Sequence, residues 1–363
     1  MDSDVKHSPL EPAHLKLGAR MVPFAGWLMP IQYDGILAEH RAVREKLGIF
    51  DISHMGQITI RGDGNRTTDW LNSLLTNDVS KLGIGEGQYT LMLNEQGGVI
   101  DDLIVYRTRE DEFFLVVNAS RTAEDHEWLY DHLDRSTRIE LVDESRGFAG
   151  MAIQGPDSVS AFKDMVAGTF ELPERFGITK IETTEGNEIV VCRTGYTGED
   201  GFELFCSTET AVAWWERAVE AGAKPCGLGA RDSLRLEKCY PLNGNDLSPN
   251  HTPIEAGLGF FVDFDKGDFL GRDVLARQKA DGPERRLVAI KAMAKGPPPR
   301  PGYGIQADGE SIGTLSSGTL SPSLGTGIGM GYVPPNHAKV GTQLELEVRG
   351  KCFEAEVVKK PFV

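Results

Sequence analysis

Apolar positions along this chain recur with two periods, one helical and one of strict alternation. Ile36, Leu37, Val43 and Leu47 predict a helix over 34–48, with Asp34 as its cap and Gly48 as its stop. Ile58 and Ile60 share one face of a strand over 57–61, and Trp70, Leu71, Leu74 and Leu75 form the next helical stripe. Segments 89–94 and 99–107 read as paired strands joined by Glu95-Gln96-Gly97-Gly98, a hairpin signal. A strand over 113–117 follows, and Ser120 is placed to cap a helix carrying Trp128, Leu129 and Leu133. The pattern then repeats. A strand over 150–154 runs into Gly155-Pro156 and a helix with Val159, Phe162 and Val166. Strands over 188–193 and 202–206 flank the loop Thr194-Gly195-Tyr196-Thr197-Gly198-Glu199-Asp200-Gly201, and a helix over 209–221 ends at Gly222. From Arg285 the rhythm changes to short strands among Gly and Pro, which predicts a C-terminal all-β domain beginning near residue 282.

Composition narrows the classes. A chain of 363 residues fits two or three domains, and 40% hydrophobic with 25% charged residues supports a packed core. Glycine at 42 of 363 residues exceeds the usual ~7% and favours a turn-rich, β-containing fold over a helical bundle. The net charge of −16 argues against a duplex nucleic-acid partner. The charge is uneven: residues 282–363 carry ten Lys and Arg against seven Asp and Glu, a balance of +3, which leaves −19 on the rest. A basic end on an acidic body suits an acidic partner or ligand. No targeting segment is visible at the N-terminus, and no run approaches the ~18 apolar residues of a membrane span. Five cysteines without a C-x-x-C pair read as reduced thiols, so a soluble cytoplasmic protein is expected. P-loop, G-x-G-x-x-G, G-x-S-x-G and paired-histidine patterns are missing, and no metal is expected.

Three sets of charged residues invite chemistry. Asp101 and Asp102 interrupt the strand Val99-Ile100-Asp101-Asp102-Leu103-Ile104-Val105-Tyr106, whose two faces are both apolar. At least one carboxylate then faces a low-dielectric space or a cleft, where its pKa rises toward that of a proton-transferring acid. The pair could equally cap backbone amides or meet Arg107. Glu203 likewise interrupts the apolar Phe202-Glu203-Leu204-Phe205. If buried it needs donors, and a pterin or guanine edge offers two side by side; otherwise it faces outward on a half-exposed strand. Arg231 and Arg235 stand one helical turn apart. They suit a carboxylate-bearing ligand, or pair with Asp232 and Glu237 on an ordinary helix surface.

The motifs taken in order carry a resemblance. Phe24-Ala25-Gly26-Trp27, Pro30-Ile31-Gln32-Tyr33, Phe50-Asp51-Ile52-Ser53-His54-Met55 and Asn94-Glu95-Gln96-Gly97-Gly98 open the series, followed by Val99-Ile100-Asp101-Asp102. Arg193-Thr194-Gly195-Tyr196-Thr197-Gly198-Glu199-Asp200-Gly201-Phe202-Glu203, Ala230-Arg231-Asp232-Ser233-Leu234-Arg235-Leu236-Glu237, Gly331-Tyr332-Val333 and Lys360-Pro361-Phe362-Val363 complete it. Over nearly the whole chain this resembles the T-protein of the glycine cleavage system, a tetrahydrofolate-dependent aminomethyltransferase.

The resemblance implies an α+β fold, a three-domain cloverleaf around a central folate channel with a C-terminal β-barrel. The leaves would be 1–54 with 145–247, 55–144 with 248–281, and 282–363. It implies Asp102 as the catalytic carboxylate and Glu203 as the group that holds the pterin N3–H and 2-amino group. Arg231 is expected beside the folate, Asn118, Tyr89 and Met55 around its pocket, and Arg286 on its glutamate tail. The implied cofactor is tetrahydrofolate as co-substrate, and the implied partner is the lipoylated H-protein, which supplies the lipoyl group. Lys238-Cys239-Tyr240-Pro241-Leu242-Asn243 departs from many members. It loosely resembles the signature of a related folate-binding accessory protein, but lacks that signature's Gly between Lys and Cys; Cys239 reads as a small buried residue. Two other readings share the scaffold: a folate-dependent demethylase of a small methyl donor, and a non-catalytic folate-binding protein. An intact Asp102 counts against the second.

Overall fold

A computed structural model describes residues 5–62, 64–133, 138–166, 170–183, 186–293 and 296–363. The fold is α+β and ends in a closed six-stranded barrel. The chain forms two compact units. One contains Met1–Asn72, Asp78–Thr90 and Leu103–Arg231; the other contains Ser73–Asn77, Leu91–Asp102 and Asp232–Val363.

The first unit is built around a six-stranded sheet in the order Ile178–Glu182, Glu188–Cys192, Gly201–Ser207, Phe148–Gln154, Gly48–Asp51, Lys224–Cys226. All neighbours are antiparallel except the last pair. The helix Ala211–Glu220 shows why it packs: Ala211, Trp214, Trp215 and Ala218 fall on one face and are all buried. They join Phe162 and Met165 of Ser158–Met165 and the strand residues Met151, Ile153, Phe202 and Leu204 in one core. A second sheet runs in the order Gly87–Leu93, Val99–Arg109, Glu112–Val117, Gly56–Arg61, Glu140–Asp143. The predicted hairpin is its first pair. Gly97 takes φ +77° in the turn, and Asn94 Oδ1 accepts the amides of Gln96 and Gly98. Gly98 is obligatory for another reason, since a Cβ there would lie 1.8 Å from the Pro249 carbonyl oxygen.

Two predicted caps are replaced. The helix expected over 34–48 is Ile36–Glu45, entered through Gly35 at φ +124°. Its amides at Tyr33 and Gly35 are satisfied by Glu39 Oε1, at 2.6 and 3.1 Å. Asp34 is drawn instead to Lys224, 2.6 Å away. Gly48 begins a strand rather than stopping the helix, because a Cβ there would meet Val43 at 2.4 Å. Ser120 is exposed and makes no cap; the helix Thr122–Asp131 has Arg121 at its N-cap position with no side-chain hydrogen bond.

In the second unit the barrel runs Arg286–Ala292, Thr326–Val333, Glu310–Ser321, Gly304–Ala307, Gln343–Val348, Lys351–Val358 and closes on itself. Alternate residues Val288, Ile290, Leu344, Leu346, Ala355 and Val357 fill it. Closure leaves no edge strand to blunt. The helix Leu228–Glu237 enters this unit at Asp232, and its Arg235 is buried at 2% exposure. The Arg235 guanidinium binds Asp246 at 2.7 Å, Ser317 at 2.8 Å and the Tyr240 carbonyl at 3.1 Å. It also keeps the helix partner Asp232, 2.7 Å away. Glu237 is fully buried and accepts hydrogen bonds from Ser321, from the Ser323 hydroxyl and from the Ser323 amide. Arg235→Ala strands the fully buried Asp246 carboxylate, so urea unfolding is expected to report a loss of about 3–5 kcal/mol, against under ~1 kcal/mol for an exposed pair.

Candidate active site

The site residues fall in both units, and each group is described within its own. In the first, Glu203 lies on Gly201–Ser207 between Phe202 and Leu204, whose side chains take the opposite face into the core. The pairing Ala152↔Glu203 and Cys192↔Glu203 sets it in the middle of the sheet. At 7% exposure it is a buried carboxylate, which decides against the outward-facing alternative. Among the described residues its side-chain hydrogen-bond donor is the Thr194 hydroxyl, 2.7 Å from Oε2, and Tyr106 shares that hydroxyl at 2.9 Å. Burial pushes the Glu203 carboxyl up, and the Thr194 bond and the Arg231 charge only partly offset it. Oε1 keeps its acceptor capacity.

Arg231 lies near Glu203 with its guanidinium 4.7 Å from the Tyr196 ring centre, a cation–π seat that fixes a long side chain. The loop predicted between the two strands thus supplies Thr194, which reaches Glu203, and Tyr196, which seats Arg231. Gly195 in that loop leaves no room for a side chain, since a Cβ would lie 1.9 Å from Gln154 Oε1.

A residue that sequence reasoning passed over stands next to Arg231. His54 is buried at 3% exposure, its ring edge-on to Phe24 at 5.7 Å, and its Nδ1 has no hydrogen-bond partner among the described residues. Burial and the Arg231 charge push its pKa down to about 4, against a smaller opposite effect of Asp51. The motif Asp51-Ile52-Ser53-His54-Met55 was visible, but nothing in one sequence says that a histidine will face an arginine. Met55, the next residue, is half-buried and caps the turn after Ile52 through its amide. Tyr89 on Gly87–Leu93 and Asn118 just after Glu112–Val117 are also half-buried.

The second unit holds the first part of the strand Val99–Arg109, up to Asp102, and there burial alternates: Asp101 is fully buried and Asp102 is half-exposed. The period-two pattern therefore separates the two carboxylates, and Asp102 is the one left accessible. Asn243 Nδ2 donates to Asp102 Oδ1 at 3.3 Å and to the Ile100 carbonyl at 3.4 Å. Arg107 is engaged with the carbonyls of Leu82 and Glu110. Arg286 is exposed at the start of the barrel, paired with Val333. Its neighbour Arg285 lines a cleft with His251, Asn245 and Tyr332. There it binds Glu255 at 3.0 Å and covers the Tyr332 ring at 5.6 Å, while His251 stacks on that ring at 4.1 Å. Cys239 takes φ +57°, and burial pushes its thiol up to about 11, so it is a thiol and not a nucleophilic thiolate at neutral pH.

Comparison with known proteins follows the same architecture. The family described as GCVT N-terminal domain matches residues 10–266, and the glycine cleavage T-protein C-terminal barrel domain matches 285–363. The aminomethyltransferase of Symbiobacterium thermophilum is 46% identical over 371 residues, covering 100% of this chain and 98% of that protein. That of Geobacillus kaustophilus is 44% identical over 363 residues, covering 99% and 98%. The crystal structure of glycine cleavage system aminomethyltransferase T from Bartonella henselae aligns over 99% of this chain and 98% of its own with TM-score 0.91 and 35% identity. The chain belongs to the glycine cleavage T-protein family of aminomethyltransferases. Among the described residues no helix is long and apolar enough to cross a membrane.

The depressed His54 pKa has a measurable sign. The unfolded chain takes up this proton near 6.5 and the folded one near 4, so the neutral form stabilises the fold above 6.5 and that stability is lost as pH falls toward 4. His54 is expected to show its imidazole NMR transition about 4, and His54→Gln to flatten the loss of stability between pH 6.5 and 4.

Proposed function

We propose that the protein moves a one-carbon unit from an aminomethyl-lipoyl carrier protein to tetrahydrofolate with release of ammonia. The observation that carries this reading is Glu203. It is a buried carboxylate with a raised pKa and one hydrogen-bonded oxygen, so it gains by meeting a pair of N–H donors. The N3–H and 2-amino group of a pterin are such a pair. Arg231, held over Tyr196, keeps the Glu203 carboxylate ionised when those donors are present and supplies positive charge to the same ligand. Met55, Tyr89 and Asn118, all half-buried, would line the remainder of the ring's pocket. Arg286, exposed, is assigned to the glutamate tail.

When bound, folate supplies the two nitrogens that accept the one-carbon unit. The chain's own contribution is Asp102. As the carbon leaves sulfur, positive charge develops, and a half-exposed carboxylate beside it stabilises that charge and takes up a proton. Such a group contributes about 10²–10⁴ in rate, and positioning two bound reactants contributes much of the remainder. The products are 5,10-methylenetetrahydrofolate, ammonia and a reduced lipoyl arm. The net positive residues 282–363 suit docking of an acidic lipoylated carrier of the H-protein type. The expected compartment is the cytoplasm.

The direct test supplies the purified protein with aminomethyl-lipoyl carrier and tetrahydrofolate and measures methylenetetrahydrofolate and ammonia together. Turnover of a small methyl donor in place of the carrier would move the assignment to a demethylase. Asp102→Asn is expected to abolish transfer while folate still binds, and Asp101→Asn to be milder; the reverse order would shift the assignment to the other strand face.

Glu203→Gln separates binding from stability. Folate affinity measured by titration calorimetry should fall at least tenfold, since hydrogen bonds to a charged group are worth about 1.5–3 kcal/mol each. The folded pKa of Glu203 is raised, so its effect on stability is favourable in acid and is lost as pH rises through that pKa. The ligand-free variant should therefore melt no lower than the parent at pH 7, with the difference shrinking in acid.

A further inference from the structure

The segment from Leu242 to Leu247 folds back on itself. The amides of Asn245 and Asp246 both donate to the Leu242 carbonyl, at 3.1 and 2.8 Å, and the Gly244 amide donates to Leu247 at 2.9 Å. Gly244 takes φ +84° to make the turn, and Asn243 and Leu247 form a parallel bridge. The loop is pinned by Asp246, which is fully buried. Its carboxylate accepts from Arg235 at 2.7 Å, Ser317 at 2.8 Å, Ser316 at 2.5 Å and the Leu242 amide at 2.9 Å. Its carbonyl accepts the Tyr332 hydroxyl at 2.7 Å. A loop with this many bonds inside and beneath it has little freedom.

The Asn243 carboxamide projects from this loop onto the strand that carries Asp102. A primary amide has two N–H groups. Here the same nitrogen lies 3.3 Å from Asp102 Oδ1 and 3.4 Å from the Ile100 carbonyl, so one can serve each. That strand is tied to the same stretch of chain a second time, since the Val99 amide donates to the carbonyls of Ser248 and His251 at 3.1 and 2.9 Å. Loop and strand are thus held in register, and the amide is presented to one oxygen of the half-exposed Asp102 carboxylate.

We propose that Asn243 is a positioning residue for Asp102. Its amide holds one carboxylate oxygen and so sets the orientation in which the carboxylate meets the developing positive charge and takes the proton. The proposal rests on the reading of Asp102 as the transfer carboxylate. Asn243 acts through Asp102 and has no part in folate affinity.

The experiment compares Asn243→Ala, the near-isosteric Asn243→Asp and Asp102→Asn, with rates normalised to the number of folate sites found by titration calorimetry. Both Asn243 variants are expected to keep the folate Kd within about twofold while kcat falls about five- to tenfold or more, the loss of one hydrogen bond to a charged group. The aspartate should fall at least as far as the alanine, because it adds like charge where a donor stood. A fall in kcat that disappears on normalisation, a folate Kd that weakens in step, or a kcat within twofold of the parent in both variants would overturn the proposal while Asp102→Asn stays inactive. An Asp102→Asn protein that still turns over would overturn the underlying reading of Asp102 instead.

Discussion

Removing a carboxylate from water costs several kcal/mol unless donors replace the lost hydration, and this fold buries many of them. Glu39, Asp51, Glu237, Asp246 and Glu255 are each at most 6% exposed. Each is met by several donors from segments far apart in the chain. Glu39 joins the amides of Tyr33, Gly35 and Gly227; Asp51 joins Ser8, His14 and the Ser53 amide. Asp246 and Glu237 fasten the helix Leu228–Glu237 to the barrel through Ser317 and through Ser321 and Ser323. For Asp51, burial pushes the carboxyl up, but His14, Ser53 and Ser8 outweigh it and hold it below the usual range. These are structural carboxylates, fully paid in hydrogen bonds.

Glu203 breaks that rule. It is as buried as the others yet has the Thr194 hydroxyl as its hydrogen-bonding side chain among the described residues, and its carboxyl is pushed up rather than down. A position that stabilises the fold so poorly is where binding energy can be recovered by a ligand with matching donors. His54 is a second case. Its imidazole Nδ1 has no partner among the described residues, and burial and the Arg231 charge keep the ring neutral.

Asp102 belongs to neither class. Alternation along one strand buries Asp101 and leaves Asp102 half-exposed. Asn243 restrains it without enclosing it.

Much of this was legible in the residue order. Period and turn chemistry mark the hairpin at Glu95-Gln96-Gly97-Gly98, the helix that buries Trp214 and Trp215, and the change to a barrel near residue 285, because these depend on neighbours within a few positions. Motif order also sufficed to define the family, and acidic residues inside apolar strands drew attention to the Asp101-Asp102 pair and to Glu203, while the choice of Asp102 over Asp101 came from the resemblance. The cap at Asp34 failed because a distant partner took it, Lys224, and the cap at Ser120 failed because the helix begins with Arg121 at its N-cap position. Arg235 keeps its helix neighbour Asp232 but is buried by Asp246, and Glu237 by Ser321, partners that arrive from outside the helix. The same holds for Thr194 under Glu203, Arg231 against His54, and Asn243 on Asp102. Local rules determine which elements form and which faces are apolar; which donor reaches which buried charge is decided across chain separations of up to 188 residues, and only the tertiary structure contains that information.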